Sequence, residues 1–184
     1  MKNFERTNKA LNKFGLRVIT FARGNLLRQR KNASGSLRDS IDYDLKITKK
    51  GSIPSSFRLQ FLMEDYATFI EDGVNGTRKK YGSPYSYKRK QPPSNVILQW
   101  IRTKPVRLRD SKGRYRKQKN REIQSLAFLI ARKIKERGIK PTPFFFPAFE
   151  KAFDKIDSEV VDTFALELED FYAFTLQDQL DGNN

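Results

Sequence analysis

Residues 41–63 read IDYDLKITKKGSIPSSFRLQFLM. Ile41, Tyr43, Leu45 and Ile47 alternate with Asp42, Asp44, Lys46 and Thr48, and Phe57, Leu59, Phe61 and Met63 alternate in the same way further along. Successive side chains of an extended chain point to opposite faces, so each run predicts a strand with one buried face. KKGSIPSS supplies turn residues between them, which predicts an antiparallel pair joined by seven or eight residues.

Helical patterns flank the pair. Phe4, Leu11, Phe14, Val18, Phe21/Ala22 and Leu26 recur at helical spacing, and the polar run RQRKNASGS ends that helix, with Gly35 as a breaker. Beyond the strands, 64–72 predicts a short helix with Tyr66, Phe69 and Ile70 inward and Gly73 as its stop. SNVILQWI predicts another short helix, capped by Ser94, and RLRDSKGRYRK a small basic hairpin. Ile123, Leu126, Ala127, Ile130 and Ile134 form one stripe of a stronger helix stopped by Gly138. Phe149, Ala152/Phe153, Ile156, Val160, Phe164, Leu168 and Phe171 then predict a long final helix, with Pro147 in its first turn. The expected fold is α+β: a small antiparallel sheet packed against long N-terminal and C-terminal helices. The chain reads as a single domain, 1–184, and 77–120 reads as a basic insertion holding short helices and the hairpin.

Composition bounds the chemistry. The chain has 184 residues, 38% of them hydrophobic and 32% charged, which suits one modest core with much polar surface. No apolar run approaches the roughly 20 residues of a membrane span. MKNFERTNKA has no apolar stretch of the kind a secretory signal needs, so cytoplasmic synthesis is expected. Histidine and cysteine are both absent, which excludes imidazole-based triads, imidazole ligands, thiolate metal sites and disulfides. Neither a metal nor a cofactor is expected, and there is no GxxxxGK[ST] or GxGxxG stretch to hold nucleotide phosphates.

Charge is unevenly spread. The formal net charge is +16, yet 141–184 holds 10 acidic and 2 basic residues, leaving 35 basic and 11 acidic in 1–140. Between Thr77 and Arg121 there are 16 Lys/Arg and one acidic residue, with Tyr81, Tyr85, Tyr87, Trp100 and Tyr115 interleaved. That mixture suits contact with a phosphate backbone, positive groups neutralising charge and rings stacking or hydrogen-bonding. The candidate contacts are Arg78, Lys79, Lys80, Lys88, Arg89, Lys90, Arg107, Arg109, Lys112, Arg114, Arg116 and Lys117. No recognition motif of known geometry appears, so binding without sequence readout is expected. Asp42, Asp44 and Lys46 share a strand face and faintly echo an Asp-x-Lys nuclease element, but a solvent-facing strand reads the same way and is preferred. A basic body with an acidic end can associate head-to-tail with further copies, closing into a ring where the rotation permits. The same end can instead fold back on its own basic surface.

Residues 138–153, GIKPTPFFFPAFEKAF, place three phenylalanines between prolines at the entrance to the last helix. Three adjacent side chains cannot all point inward, so one must meet another element or a neighbouring subunit.

The order of GSLRDSI, a strand pair, YATFIEDGVNGT and KPTPFFFPAFEKAF resembles the neck or tail-completion proteins that join head to tail in tailed bacteriophages. The motif of that family falls here on Tyr66, Ala67, Ile70, Glu71 and Gly73, and its second motif on Pro143, Phe144, Pro147 and Ala148, with Phe145 and Phe146 between. GVNGT is longer than the usual Gly-Thr. The resemblance implies a non-enzymatic virion protein, assembled in the host cytoplasm and located in the virion neck. It implies a homo-oligomeric ring of six or twelve copies. The partners it implies are the portal or a head-completion adaptor, a tail terminator or tail tube protein, and DNA held non-specifically in the channel. The alternative is a free-standing, sequence-independent nucleic-acid-binding protein.

Overall fold

A computed structural model describes residues 4–29, 34–50, 53–103, 109–115, 119–156 and 160–170. The elements in order are α1 (Glu5–Arg28), α2 (Ser36–Ser40), β1 (Asp42–Lys50), β2 (Ile53–Leu62), α3 (Ala67–Glu71), β3 (Val74–Asn75), α4 (Ser94–Thr103), α5 (Asn120–Arg137), β4 (Gly138–Ile139) and α6 (Phe146–Phe153). A further helix, α7, covers 160–170. The architecture is α+β, with two small antiparallel sheets, β1–β2 and β3–β4. The described residues gather into two compact units: one from Met1–Arg28, Arg38–Met63 and Phe144–Asn184, the other from Gln29–Leu37 and Glu64–Pro143.

The first unit is a ring-filled core. The α1 stripe supplies Phe14 and Val18, which pack with Ala152 and Ile156, while Leu59, Phe61, Phe145 and Phe149 close around them. Phe14 meets Phe149 edge-on at 5.6 Å and Phe61 meets Phe145 at 5.2 Å. Edge contacts of this kind add about 0.5–1.5 kcal/mol each beyond the area they bury. Tyr43, on the inner face of β1, donates its hydroxyl to Asn12 Oδ1 of α1 at 2.9 Å, so its polar tip is satisfied.

A second aromatic group, Phe4, Phe57 and Phe164, has ring separations of 5.8–6.4 Å. It brings α7 to the start of α1, where Phe4 stands in the cap position with φ 48° and its carbonyl accepts from Asn8 N–H. Phenylalanine has no oxygen to offer the first free N–H groups of a helix. Glu167 supplies it from the far end of the chain: its carboxylate accepts from Arg6 N–H (2.6 Å), Thr7 N–H (3.1 Å) and the Thr7 hydroxyl (2.7 Å). An anion at a helix N-terminus is also favoured by the helix dipole. At this one acidic residue, α7 is joined to the first turn of α1.

Four local expectations change. Pairing of β1 and β2 continues to Lys50↔Ile53, with a register shift after Thr48 where Pro54 enters, so only two residues connect the strands. Proline lacks the ladder N–H and is tolerated at such irregularities. Ser94 is the first helical residue of α4 instead of its cap, because the Pro93 carbonyl accepts from Ile97 N–H. On α3 the buried residue is Ala67, while Tyr66 and Phe69 are exposed. The final helix is described in two stretches, α6 and α7, with a turn at 154–156. Phe171, the last residue of the expected stripe, lies outside the described residues.

Candidate functional site

The second unit is organised by hydrogen bonds. α4 and α5 pack through Ile97, Ile101, Ala127 and Ala131, and α5 stops where Gly138 turns into β4, which pairs with β3. The segment after β3 meets the last turn of α5. Thr77 N–H donates to Lys135 O (2.9 Å), and Arg78 and Lys79 N–H donate to Glu136 O (2.9 and 3.3 Å). These donors satisfy carbonyls that a helix end otherwise leaves open. The other end of the loop returns to the same turn, where Lys135 Nζ donates to Arg89 O at 2.7 Å. Two basic triplets, 78–80 and 88–90, are thereby tethered to one helical turn.

Asn75 shapes the loop between them. It is buried, and its side-chain amide donates to Ser83 O (2.6 Å) and Ser86 Oγ (3.1 Å) while its Oδ1 accepts from Tyr81 N–H (2.7 Å). Its backbone accepts from Tyr87 N–H and donates to Tyr85 O. The reading of the sequence passed over Asn75. Its signal was the GVNG setting, an amide flanked by glycines directly before a basic run.

Gly73 and Gly76 stand on either side of Val74 and Asn75, where backbone meets backbone. Gly73 has φ +69°, and a Cβ there would lie 2.5 Å from the Ile139 carbonyl oxygen; at Gly76 it would run into the backbone of Glu136 and Gly138. Only residues without a side chain permit β3 to approach the end of α5 this closely.

The exposed basic groups on this framework are Arg78, Lys79, Lys80, Lys88, Arg89, Lys90, Arg109, Lys112 and Arg114. Lys79 lies over the Tyr81 ring at 5.2 Å, and Lys80 Nζ donates to Gly76 O at 2.9 Å. The hairpin is present over 109–115, where Arg109 pairs with Tyr115 and Asp110 Oδ1 accepts from Lys112 and Arg114 N–H. The Arg109 guanidinium covers the Tyr115 ring at 4.5 Å, so this cation is already engaged. Arg107, Arg116 and Lys117 lie outside the described residues. Beside the loop is a cleft of about 660 Å³, lined by Phe69, Val74, Tyr85, Tyr87, Lys88 and Ile139 among others. Phe69 and Tyr85 meet edge-on at 4.7 Å, and burial pushes the Tyr87 phenol above its usual pKa.

The motif residues divide between the units. Tyr66 shares a hydrogen bond with Ser36 at 2.9 Å, Glu71 is half-buried, and Gly73 accepts from the Ser83 hydroxyl at 2.7 Å. Pro143 accepts through its carbonyl from Gln29, and the Phe144 carbonyl from Asn25. Phe144 is fully buried at 0%, Phe145 is half-buried in the first unit's core, and Phe146 is 60% exposed. Pro147 lies in the first turn of α6, and Ala148 is buried. The outward-facing ring expected of the triplet is therefore Phe146.

Asp44 and Lys46 form an ion pair at 3.3 Å on the outer face of β1, and Asp42 accepts from Tyr43 N–H. Among the described residues no three acidic side chains gather where they would hold a metal ion. Nor is any helix among them long and apolar enough to cross a membrane. No protein-family model, curated protein or solved structure matches the chain.

Proposed function

We propose that this chain is a non-enzymatic structural protein of a tailed-phage neck. It would form a ring that joins the head connector to the tail around the DNA channel. The observation that carries the reading is the division of the proline-bounded triplet. Phe144 is wholly internal, while Phe146, two residues on, offers a 60% exposed ring at the first residue of α6. A large ring held outward beside so much charge is suited to a protein partner. The tethered basic triplets fit the same reading, since a channel wall contacts phosphates without reading bases.

The test is removal of the gene from the phage that encodes it. Filled heads and separate, unjoined tails are expected, with joining restored when the purified chain is added. Infectious particles of normal yield would overturn the reading.

The runner-up is a free-standing nucleic-acid-binding protein, favoured by the presentation of six exposed cations from one anchored loop. It predicts monomeric binding to duplex DNA with a steep salt dependence. A ring component instead depends on concentration or on a connector for its association.

A further inference from the structure

The inner stripe of α5 packs on α4, and its outer face is exposed at Arg121, Gln124, Ser125, Phe128, Leu129, Arg132, Lys133 and Arg137. Phe128 and Leu129, 50% and 58% exposed, thus stand amid arginine and lysine. Leu129 also borders two shallow hollows of about 390 and 360 Å³ along the helix. The outer face of α7 is its counterpart in charge. Val161, Ala165 and Leu166 are exposed there beside Asp162 and Glu169, with Val161 at 61% and Leu166 at 51%. One face is apolar and basic, the other apolar and acidic, and both follow helical spacing.

We infer that the outer face of α5 docks the outer face of α7 from a second copy of this chain. Apolar residues would fill the hollows beside Leu129, and Asp162 and Glu169 would meet Arg132 and Lys133. Arg132 already pairs with the half-buried Glu136 at 3.5 Å, but its own side chain is exposed and open to exchange with an incoming carboxylate. Because the two faces differ, the contact is head-to-tail and leaves one of each kind free, so it propagates and closes into a ring where the rotation permits. The inference rests on the self-assembly part of the neck reading and names the surfaces that carry it. The net charge of +16 opposes association of isolated copies, so the contact is weak in dilute solution.

The absence of cysteine makes the test direct. Leu129→Cys and Leu166→Cys are placed in separate full-length copies, one tagged, then mixed and treated with a short bis-maleimide. A mixed cross-link is expected, well above that given by Leu129→Cys with Ser111→Cys at the hairpin tip. In parallel, Asp162→Lys with Glu169→Lys should weaken association about tenfold, and Arg132→Glu with Lys133→Glu in the other copy should restore it. Cross-linking no better than the control, or no rescue by the paired charge reversal, overturns the inference. So does protection of Leu129→Cys from maleimide by duplex DNA instead of by a second copy. Failure to cross-link in a chain still found in necks removes this interface and leaves the neck reading standing. Cross-links in a chain that never enters particles support the interface and remove that reading.

Discussion

The two units reach definite structures by different means. In the first, rings from α1, β2 and α6 fill a common core, and the polar contacts, Tyr43 to Asn12 and Glu167 to the start of α1, finish its edges. In the second, the loop that carries the basic triplets has Asn75 at its centre, backbone donors on the end of α5, and glycines where chains touch. Burial of rings is non-directional and scales with area, so neighbouring side chains compensate in part when one is changed. Buried hydrogen bonds and side-chain-free contacts have no substitute nearby, so single atoms decide them. The first unit should therefore respond to lost volume, and the second to lost geometry.

The largest effect expected is that of Phe144→Ala. Removing a fully buried ring should cost about 3–5 kcal/mol, read as a denaturant midpoint, while Phe146→Ala leaves the midpoint nearly unchanged and impairs entry into particles. Equal loss from both would show that the triplet is wholly internal. Gly73→Ala follows, at about 3 kcal/mol, since it forces a side chain into a left-handed backbone against the Ile139 carbonyl. Hydrogen exchange should locate that loss in 73–87 and leave α1 protected. If α1 loosens equally, the units unfold together and the contrast between them breaks.

Asn75→Ala should cost about 2 kcal/mol by orphaning the loop groups it serves. The sharper readout is faster exchange of the Tyr81 amide, which donates to its side chain. Glu167→Gln keeps an oxygen at the start of α1 but removes its charge, for about 1 kcal/mol. It should fray the first turn of α1 and spare the loop. The smallest change in stability belongs to Arg78, Lys79, Lys88, Arg89 and Lys90 replaced together by glutamine, within about 0.5 kcal/mol because all are exposed. Where these groups contact phosphate, each one lost should lower the salt slope of DNA binding by about 0.9. An unchanged slope would mean that the loop faces protein or solvent.

Helices and strands were legible where one face meets a core. The alternation at 41–47 and 57–63, the stripe of α1 and the stripe of α5 all reappear as inner faces, because periodicity records which side chains avoid water. Errors fell where local signals compete. Ser94 is a good cap by type, but the Pro93 carbonyl already holds that place. KKGSIPSS has turn composition, yet the ladder runs through it, since a register shift absorbs the proline. Tyr66 and Phe69 look inward by hydrophobicity, but Ala67 is the α3 side chain that is buried.

By itself the sequence determined the α+β class, the placement of α1, α5 and the strand pair, the division of charge, and the absence of imidazole and thiol chemistry. These follow from composition and from patterns that a single element carries along its own length. Only the tertiary structure decided that Glu167 caps α1, that Asn75 builds the basic loop, that both triplets are tied to one turn of α5, and which phenylalanine of three faces outward. The physical reason is that hydrogen bonds and close contacts join residues far apart in the chain. Glu167 and Thr7 are separated by 160 positions, and no local period encodes which distant partner will complete a helix end.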